Sequence, residues 1–226
     1  MKTRAIFLGS FDPPHNGHIN CLKSVIESDI LDTLNIEKIN IIPSKQNPNK
    51  PTSSDFWDRY RMCVLEFSEL SNWCVIDDIE KLLTRTDSNF LYTYQLINYF
   101  KSGHDDIIDP NFWWIITDET YQELKEGKWK NSEELLKHNR FIIVVPENKV
   151  EEYLINEDTS QFRKIIKLKD DPNATKHSSD LRMMLSLNQE CRPWLKDGVI
   201  RYITEYNLYN VNDYKLKNKE NIYEFD

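Results

Sequence analysis

Along this chain, short and mostly apolar runs alternate with stretches in which apolar residues recur at helical spacing. The runs Ala5-Ile6-Phe7-Leu8, Lys38-Ile39-Asn40-Ile41-Ile42, Trp73-Cys74-Val75-Ile76, Phe112-Trp113-Trp114-Ile115-Ile116 and Phe141-Ile142-Ile143-Val144-Val145 read as strands. The last two lack polar alternation, as expected of central parallel strands buried on both faces. Lys164 to Leu168 reads as one more strand. Between them, Ile19, Leu22, Val25 and Ile26 mark a helix capped by Asn16, and Phe56, Tyr60, Cys63, Val64 and Phe67 mark another capped by Ser53 or Ser54. Further helices are predicted over Thr93 to Phe100, around Ser132 to Lys137, and over Ser179 to Leu187 and Asp197 to Glu205. Strand and helix in alternation predict an α/β protein with a parallel sheet covered by helices on both faces.

Pro43 stops the second strand, and the Pro- and Asn-rich stretch from Ser44 to Thr52 reads as a ligand-facing loop. A chain of 226 residues without an obvious linker is expected to form one domain over residues 1–211, followed by a polar tail over 212–226. The formal net charge of -8 disfavours nucleic acid as a partner, so any phosphate must be held by a local set of donors, which suits a small phosphorylated ligand. Cys21, Cys63, Cys74 and Cys191 have neither C-x-x-C pairing nor metal-ligand spacing and read as reduced thiols. No run approaches the length of a membrane span and Met1 leads straight into a strand, so the expected location is cytoplasmic, with no membrane partner.

The chemistry concentrates in Gly9-Ser10-Phe11-Asp12-Pro13-Pro14-His15-Asn16-Gly17-His18, the loop between the first strand and the first helix. Open α/β sheets bind ligands at such carboxyl ends of strands. A helix N-terminus supplies unpaired N–H groups, Gly9 and Gly17 are expected to let a phosphate chain approach the backbone, and His15 and His18 add side-chain donors. Donors aimed at phosphate oxygens are what nucleotidyl transfer needs, since its barrier is lowered by alignment and charge stabilisation.

This block resembles the G-x-F-D-P-x-H-x-G-H signature of the nucleotidyltransferase superfamily and is especially similar to nicotinate/nicotinamide mononucleotide adenylyltransferases. The resemblance implies a Rossmann-like, doubly wound parallel sheet and transfer of AMP from ATP, with Mg²⁺, to a pyridine mononucleotide by direct in-line attack. It would put Gly9, Ser10, Phe11, His15, Gly17 and His18 around the ATP phosphates. Lys176-His177-Ser178-Ser179-Asp180-Leu181-Arg182 looks like the family's I-S-S-T-x-I-R motif, which gives Ser178, Ser179 and Arg182 to the same phosphates. A serine pair at a helix start and an arginine from its first turn form a plausible anion cradle on physical grounds too.

Looser matches extend the resemblance to about Tyr209. Pro48-Asn49-Lys50 is similar to the P-H-K segment and brings Lys50 toward the phosphates. Arg59 with Met62 resembles R-x-x-M on the mononucleotide side, with Arg61 as a competing choice. Ile116-Thr117-Asp118 and Trp129-Lys130 look like the G-A-D and W segments, so Asp118 would meet ribose or adenosine and Trp129 would stack on the pyridine ring. Phe90-Leu91-Tyr92-Thr93 takes the place of S-Y-T-x-x-T-L, from which Thr93 is drawn as a mononucleotide contact, and Val199 through Tyr209 resembles the closing helix, a packing element.

Pantetheine-phosphate adenylyltransferase is the nearest rival, opposed by Pro14-His15 and Trp129, and a nucleotide-sensing module without turnover is opposed by the intact His15 and His18. No carboxylate cage for a resident metal is visible, so Mg²⁺ is expected with the ATP. The acid or amide form of the mononucleotide and any self-association stay open.

Overall fold

The computed structural model describes residues 3–46, 52–84, 91–103, 111–156 and 162–211. Within them the apolar runs become β1 (Thr3–Gly9), β2 (Ile36–Pro43), β3 (Cys74–Ile76), β4 (Trp113–Thr117), β5 (Arg140–Val145) and β6 (Arg163–Lys167). They form one sheet in the order β3-β2-β1-β4-β5-β6, and every pairing is parallel, with Phe7 between Ile41 and Ile115. This is the predicted doubly wound arrangement. The order reverses between β1 and β4, so the loops that leave those two strands diverge to opposite faces and open a crevice at their carboxyl ends.

The helices are α1 (Asn16–Ile26), α2 (Ile30–Thr33), α3 (Phe56–Glu66), α4 (Ile79–Leu83), α5 (Thr93–Lys101), α6 (Asp118–Lys125), α7 (Ser132–His138), α8 (Val150–Asn156), α9 (Ser178–Ser186) and α10 (Asp197–Glu205). Side-chain alternation along the strands divides the core between the two faces. Ala5, Phe7, Ile39, Ile41, Trp113, Ile115, Ile142 and Val144 pack against Ile19, Leu22 and Val25 of α1 and Cys63 of α3. Ile6, Ile42, Trp114, Ile116, Phe141, Ile143 and Val145 pack against α5, α6, α7 and α8 through Leu96, Ile97, Phe100, Tyr121, Leu124, Leu135 and Tyr153. A third cluster joins α9 and α10 to Met62 on α3. The polar exception inside β2, Asn40, is satisfied by Arg4 at 3.0 Å and Asp77 at 2.7 Å.

Periodicity missed α2, α4, α6 and α8, and their length explains why. A helix of one or two turns presents too few apolar positions to show a period, and α6 buries only Asp118, Tyr121 and Leu124. Two capping expectations are corrected. Asn16 does not cap α1; its amide binds the Asp171 carboxylate at 2.9 Å and its N–H the Trp194 carbonyl at 2.8 Å, while His15 takes the cap position. Ser53 and Ser54 do not cap α3, whose cap position is Asp55, because both are committed to Asp12. The expected tail over 212–226 lies outside the described residues.

Leu22 is fully buried where α1 meets the sheet. Leu22→Ala is expected to lower the unfolding free energy by about 3 kcal/mol in urea titrations, since the cavity can collapse only partly; a loss under about 1 kcal/mol would contradict this placement.

Candidate functional site

The signature loop is shaped by two rings and two glycines. Phe11 turns the chain with a φ of 49°, a left-handed conformation that a bulky residue adopts only when its surroundings enforce it. Here the enforcement is burial: its ring lies 5.7 Å from Phe7, 5.8 Å from Phe67 and 5.0 Å edge-on to His18. A Cβ on Gly9 would stand 2.7 Å from the tip of that ring, and one on Gly17 would stand 2.8 Å from the His15 ring. The smallness expected to admit a phosphate therefore also admits these two side chains. Phe11 itself faces the core, so its side chain supports His18 and does not reach toward a ligand.

His15 and His18 replace the usual serine and glutamate of a capping box. His15 Nδ1 accepts the Gly17 N–H at 3.1 Å, and His18 Nδ1 accepts the His15 N–H at 3.2 Å. With Nδ1 accepting, the proton of each imidazole is assigned to Nε2, so each ring is set as an Nε2–H donor. Their centroids are 3.9 Å apart.

Asp12 organises the other side of the loop. Its buried carboxylate accepts from the Ser53 N–H at 2.6 Å, the Ser54 hydroxyl at 2.5 Å and the Tyr209 hydroxyl at 2.8 Å. Its carbonyl accepts from Arg182 Nη1 at 2.7 Å, and the same nitrogen lies 3.9 Å from the carboxylate. Ser178 donates to the Pro13 carbonyl at 2.9 Å. The first turn of α9 is thus pinned to the loop, and Arg182 stands on the same loop as His15 and His18. Ser179, on that turn, is exposed.

Two further predicted residues are placed differently, and a third is not described. Arg59, expected on the mononucleotide side, has no exposed surface: it donates to the carbonyls of Ser10 at 2.7 Å, Lys45 at 2.7 Å and Ser54 at 3.3 Å. Burial lowers its pKa, with nearby Asp12 opposing, and its guanidinium clamps the loop after β1 to both ends of the connection between β2 and α3. Asp118 opens α6 but its carboxylate is held by Lys149 and by the Tyr153 hydroxyl, each at 2.6 Å. Lys50 lies outside the described residues.

Gly9 and Ser10 reappear in the wall of a cleft that Thr93 and Trp129 also line, with Leu8, Ser44, Glu80, Tyr92 and Lys130; its empty space, open mouth included, is about 620 Å³. The Trp129 indole is oriented by a 2.9 Å bond from Nε1 to Glu123 and by Trp114 at 6.2 Å. Lys130 rests over the Tyr92 ring at 4.3 Å. The buried Ser44 hydroxyl has no hydrogen-bond partner among the described residues. Glu80 is nearly buried, and desolvation pushes its pKa up to about 8 against the Lys45 backbone N–H and the charges of Arg59 and Lys45. Near neutral pH it is therefore largely a neutral acid in the cleft wall. No role at the site is legible in the sequence for Asp12, Ser44, Ser54, Glu80 or Tyr209, since Ser54 reads as a helix cap and Tyr209 as packing; Asp12 alone carries a signal, its place within the signature.

A parallel sheet with a helix-capping histidine pair at its switch point and an arginine from a distant helix on the same loop defines a class, the Rossmann-like nucleotide-binding proteins. Residues 6–184 match the model of the family described as cytidylyltransferase-like, and the chain belongs to that family. Among relatives, a protein of Clostridium botulinum (strain Okra / Type B1) described as a probable nicotinate-nucleotide adenylyltransferase is 27% identical over 215 residues, covering 92% of this chain and all of that one. One of Clostridium tetani with the same description is 25% identical over 214 residues, with the same coverage. Among solved structures, Plasmodium falciparum nicotinic acid mononucleotide adenylyltransferase complexed with NaAD superposes with a TM-score of 0.69 at 22% identity, over 94% of this chain and 99% of that one, a likeness of fold.

Glu80 makes a pH prediction. Its folded pKa lies above the ordinary 4.5, so the folded state holds the proton more tightly, and this contribution to stability is complete at low pH and lost as pH rises through about 8. Glu66, raised to about 7 by burial, acts in the same direction. The unfolding free energy should therefore fall between about pH 5 and 8, and Glu80→Gln should flatten that fall, most visibly above about pH 7 where Glu66 has titrated. An unchanged slope in Glu80→Gln would refute the assignment.

Proposed function

We propose that this protein is an adenylyltransferase that transfers AMP from MgATP to nicotinate mononucleotide, yielding the dinucleotide and pyrophosphate. The observation that carries the reading is the meeting of His15, His18 and Arg182 on one loop at the switch point of the sheet. It is supported by the cytidylyltransferase-like family and by the descriptions of the clostridial relatives.

In this reaction a phosphate oxygen of the mononucleotide attacks the α-phosphorus of ATP. A new P–O bond forms, the bond between α-phosphorus and the bridging oxygen breaks, and pyrophosphate leaves with that electron pair. The attacking phosphate is already ionised near neutral pH, so no protein base is needed. What the protein supplies is position and charge stabilisation. The Nε2–H groups of His15 and His18 and the N-terminus of α1 face the phosphates from one side, and Arg182 with the N-terminus of α9 from the other. Ser178 acts by holding α9 against Pro13, and Ser179 offers an exposed hydroxyl on the same turn.

The cleft beside Gly9 and Ser10 receives the mononucleotide, with Trp129 stacked on the pyridine and Thr93 and Ser44 as hydroxyl contacts. Lys130 favours the acid over the amide form because it brings positive charge to a wall whose carboxyl group, Glu80, is largely neutral. Among the described residues no group of three His, Cys, Asp or Glu side chains is placed to hold a metal. In this reading Mg²⁺ enters with the nucleotide as MgATP, whose phosphates the cationic and N–H donors here fit. Among the described residues no helix is long and apolar enough to cross a membrane, and the four cysteines are buried thiols, in keeping with a cytoplasmic setting.

Pyrophosphate release should be measured with MgATP and, separately, nicotinate mononucleotide, nicotinamide mononucleotide and phosphopantetheine, with the product identified by mass. Turnover is expected with the nicotinate form at the highest kcat/KM; turnover with phosphopantetheine alone, or with none of the three, would overturn the proposal. His18→Ala should reduce kcat by about 10²- to 10³-fold while mononucleotide binding changes little. Trp129→Ala should raise the KM for the mononucleotide more than that for MgATP, since a stacking face is what it removes.

A further inference from the structure

The segment after α10 has an unusual backbone. Asn207, Tyr209 and Asn210 all have positive φ, at 49°, 60° and 57°. Asparagine tolerates this region, but a tyrosine there is an outlier that persists only where surrounding contacts hold it. The contact that holds Tyr209 is polar. Its hydroxyl donates to Asp12 Oδ1 at 2.8 Å and lies 3.3 Å from the Ser54 hydroxyl, which is bound to the same oxygen. The ring closes the cluster formed by Met62, Leu181, Leu185, Val199 and Ile203. Desolvation and the neighbouring Asp12 raise the phenol pKa, so the group remains a donor across the working pH range.

We propose that Tyr209 is a positioning residue for the triphosphate side of the site: its hydroxyl fixes the Asp12 carboxylate and so keeps Arg182 available to the substrate. This rests on the adenylyltransferase reading. Arg182 Nη1 is bound to the Asp12 carbonyl at 2.7 Å yet stands 3.9 Å from the carboxylate, too far for a hydrogen bond. The oxygen nearer Arg182, Oδ2, already accepts the Ser53 N–H, and Tyr209 and Ser54 hold the carboxylate from the other oxygen, Oδ1. Without the phenol, Oδ1 keeps only the Ser54 hydroxyl of its two side-chain donors, and the buried carboxylate is less firmly held away from the guanidinium 3.9 Å from Oδ2. Asp12 would then close from the present 3.9 Å to a hydrogen-bonded pair with Arg182 and draw positive charge from the phosphates. The left-handed backbone at Tyr209 is the conformation that delivers its hydroxyl to this oxygen.

Tyr209→Phe removes the hydroxyl and keeps the ring. It should weaken MgATP about tenfold, both as KM and as Kd by calorimetry, while the KM for nicotinate mononucleotide stays within about twofold and the melting temperature within about 2 °C. Ser54→Ala, which removes the other hydroxyl from Oδ1 and leaves the C-terminal turn intact, should shift MgATP affinity in the same direction, and it serves as the test should Tyr209→Phe not fold. Loss of affinity for both substrates alike, or an MgATP affinity equal to the parent in the folded variants, would overturn the proposal. A parent protein that binds MgATP but turns over no mononucleotide would instead count against the adenylyltransferase reading, and the calorimetric comparison would still decide the role of Tyr209.

Discussion

The completely buried guanidinium of Arg59 is the interaction on which the rim of this sheet depends. Isolated burial of a cation is strongly unfavourable, and here it is offset by three carbonyls, one from the loop after β1 and one from each end of the connection between β2 and α3, and by the charge of Asp12. Because each carbonyl belongs to a different segment, the same bonds that make burial tolerable tie together the exits of β1 and β2 and the entry to α3. Removing one partner would strand the others without water, so the two loops are constrained together. That constraint lets a site made largely of loop backbone hold its shape before a ligand arrives.

Asp12 complements Arg59 from above. Its carboxylate and carbonyl gather Ser53, Ser54, Tyr209 and Arg182, groups that lie far apart along the chain. The histidine pair is set by a different device, in which starting α1 and setting the imidazole tautomers are one event. Each Nδ1 accepts a backbone N–H of the first turn, so a folded helix end implies two Nε2–H donors. Helix geometry thereby becomes chemistry without added residues.

Electrostatically, an acidic protein with a formal charge of -8 binds anionic substrates only if the charge is sorted locally. Arg182 and two helix N-termini meet at the loop, and Lys130 lies along the cleft. Among the described residues Glu80 is the one carboxyl lining that cleft, and burial keeps it largely neutral. Desolvation thus performs here what a substitution to glutamine would otherwise do.

Most of the fold was legible in the chain. Uninterrupted runs such as Phe141 to Val145 announce central parallel strands, and the helices of three or more apolar repeats announced themselves by period. The signature from Gly9 to His18 and the Ser178 to Arg182 segment were equally visible, because local order is enough to make a helix end with donors. Other assignments depended on through-space neighbours. Arg59 looks like a surface cation on an amphipathic helix until the loops that bury it are in place, and Asp118 is directed by Lys149 and Tyr153 from the next strand-to-helix connection. Tyr209 reads as packing because its partner is 197 residues away in sequence. The sequence by itself determined the alternation of strands and helices and the donors at two helix starts, since those follow from local propensity and periodicity. Which of the charged side chains face a ligand and which are sealed inside was decided only by the tertiary structure, because burial and pairing are properties of space and not of chain order.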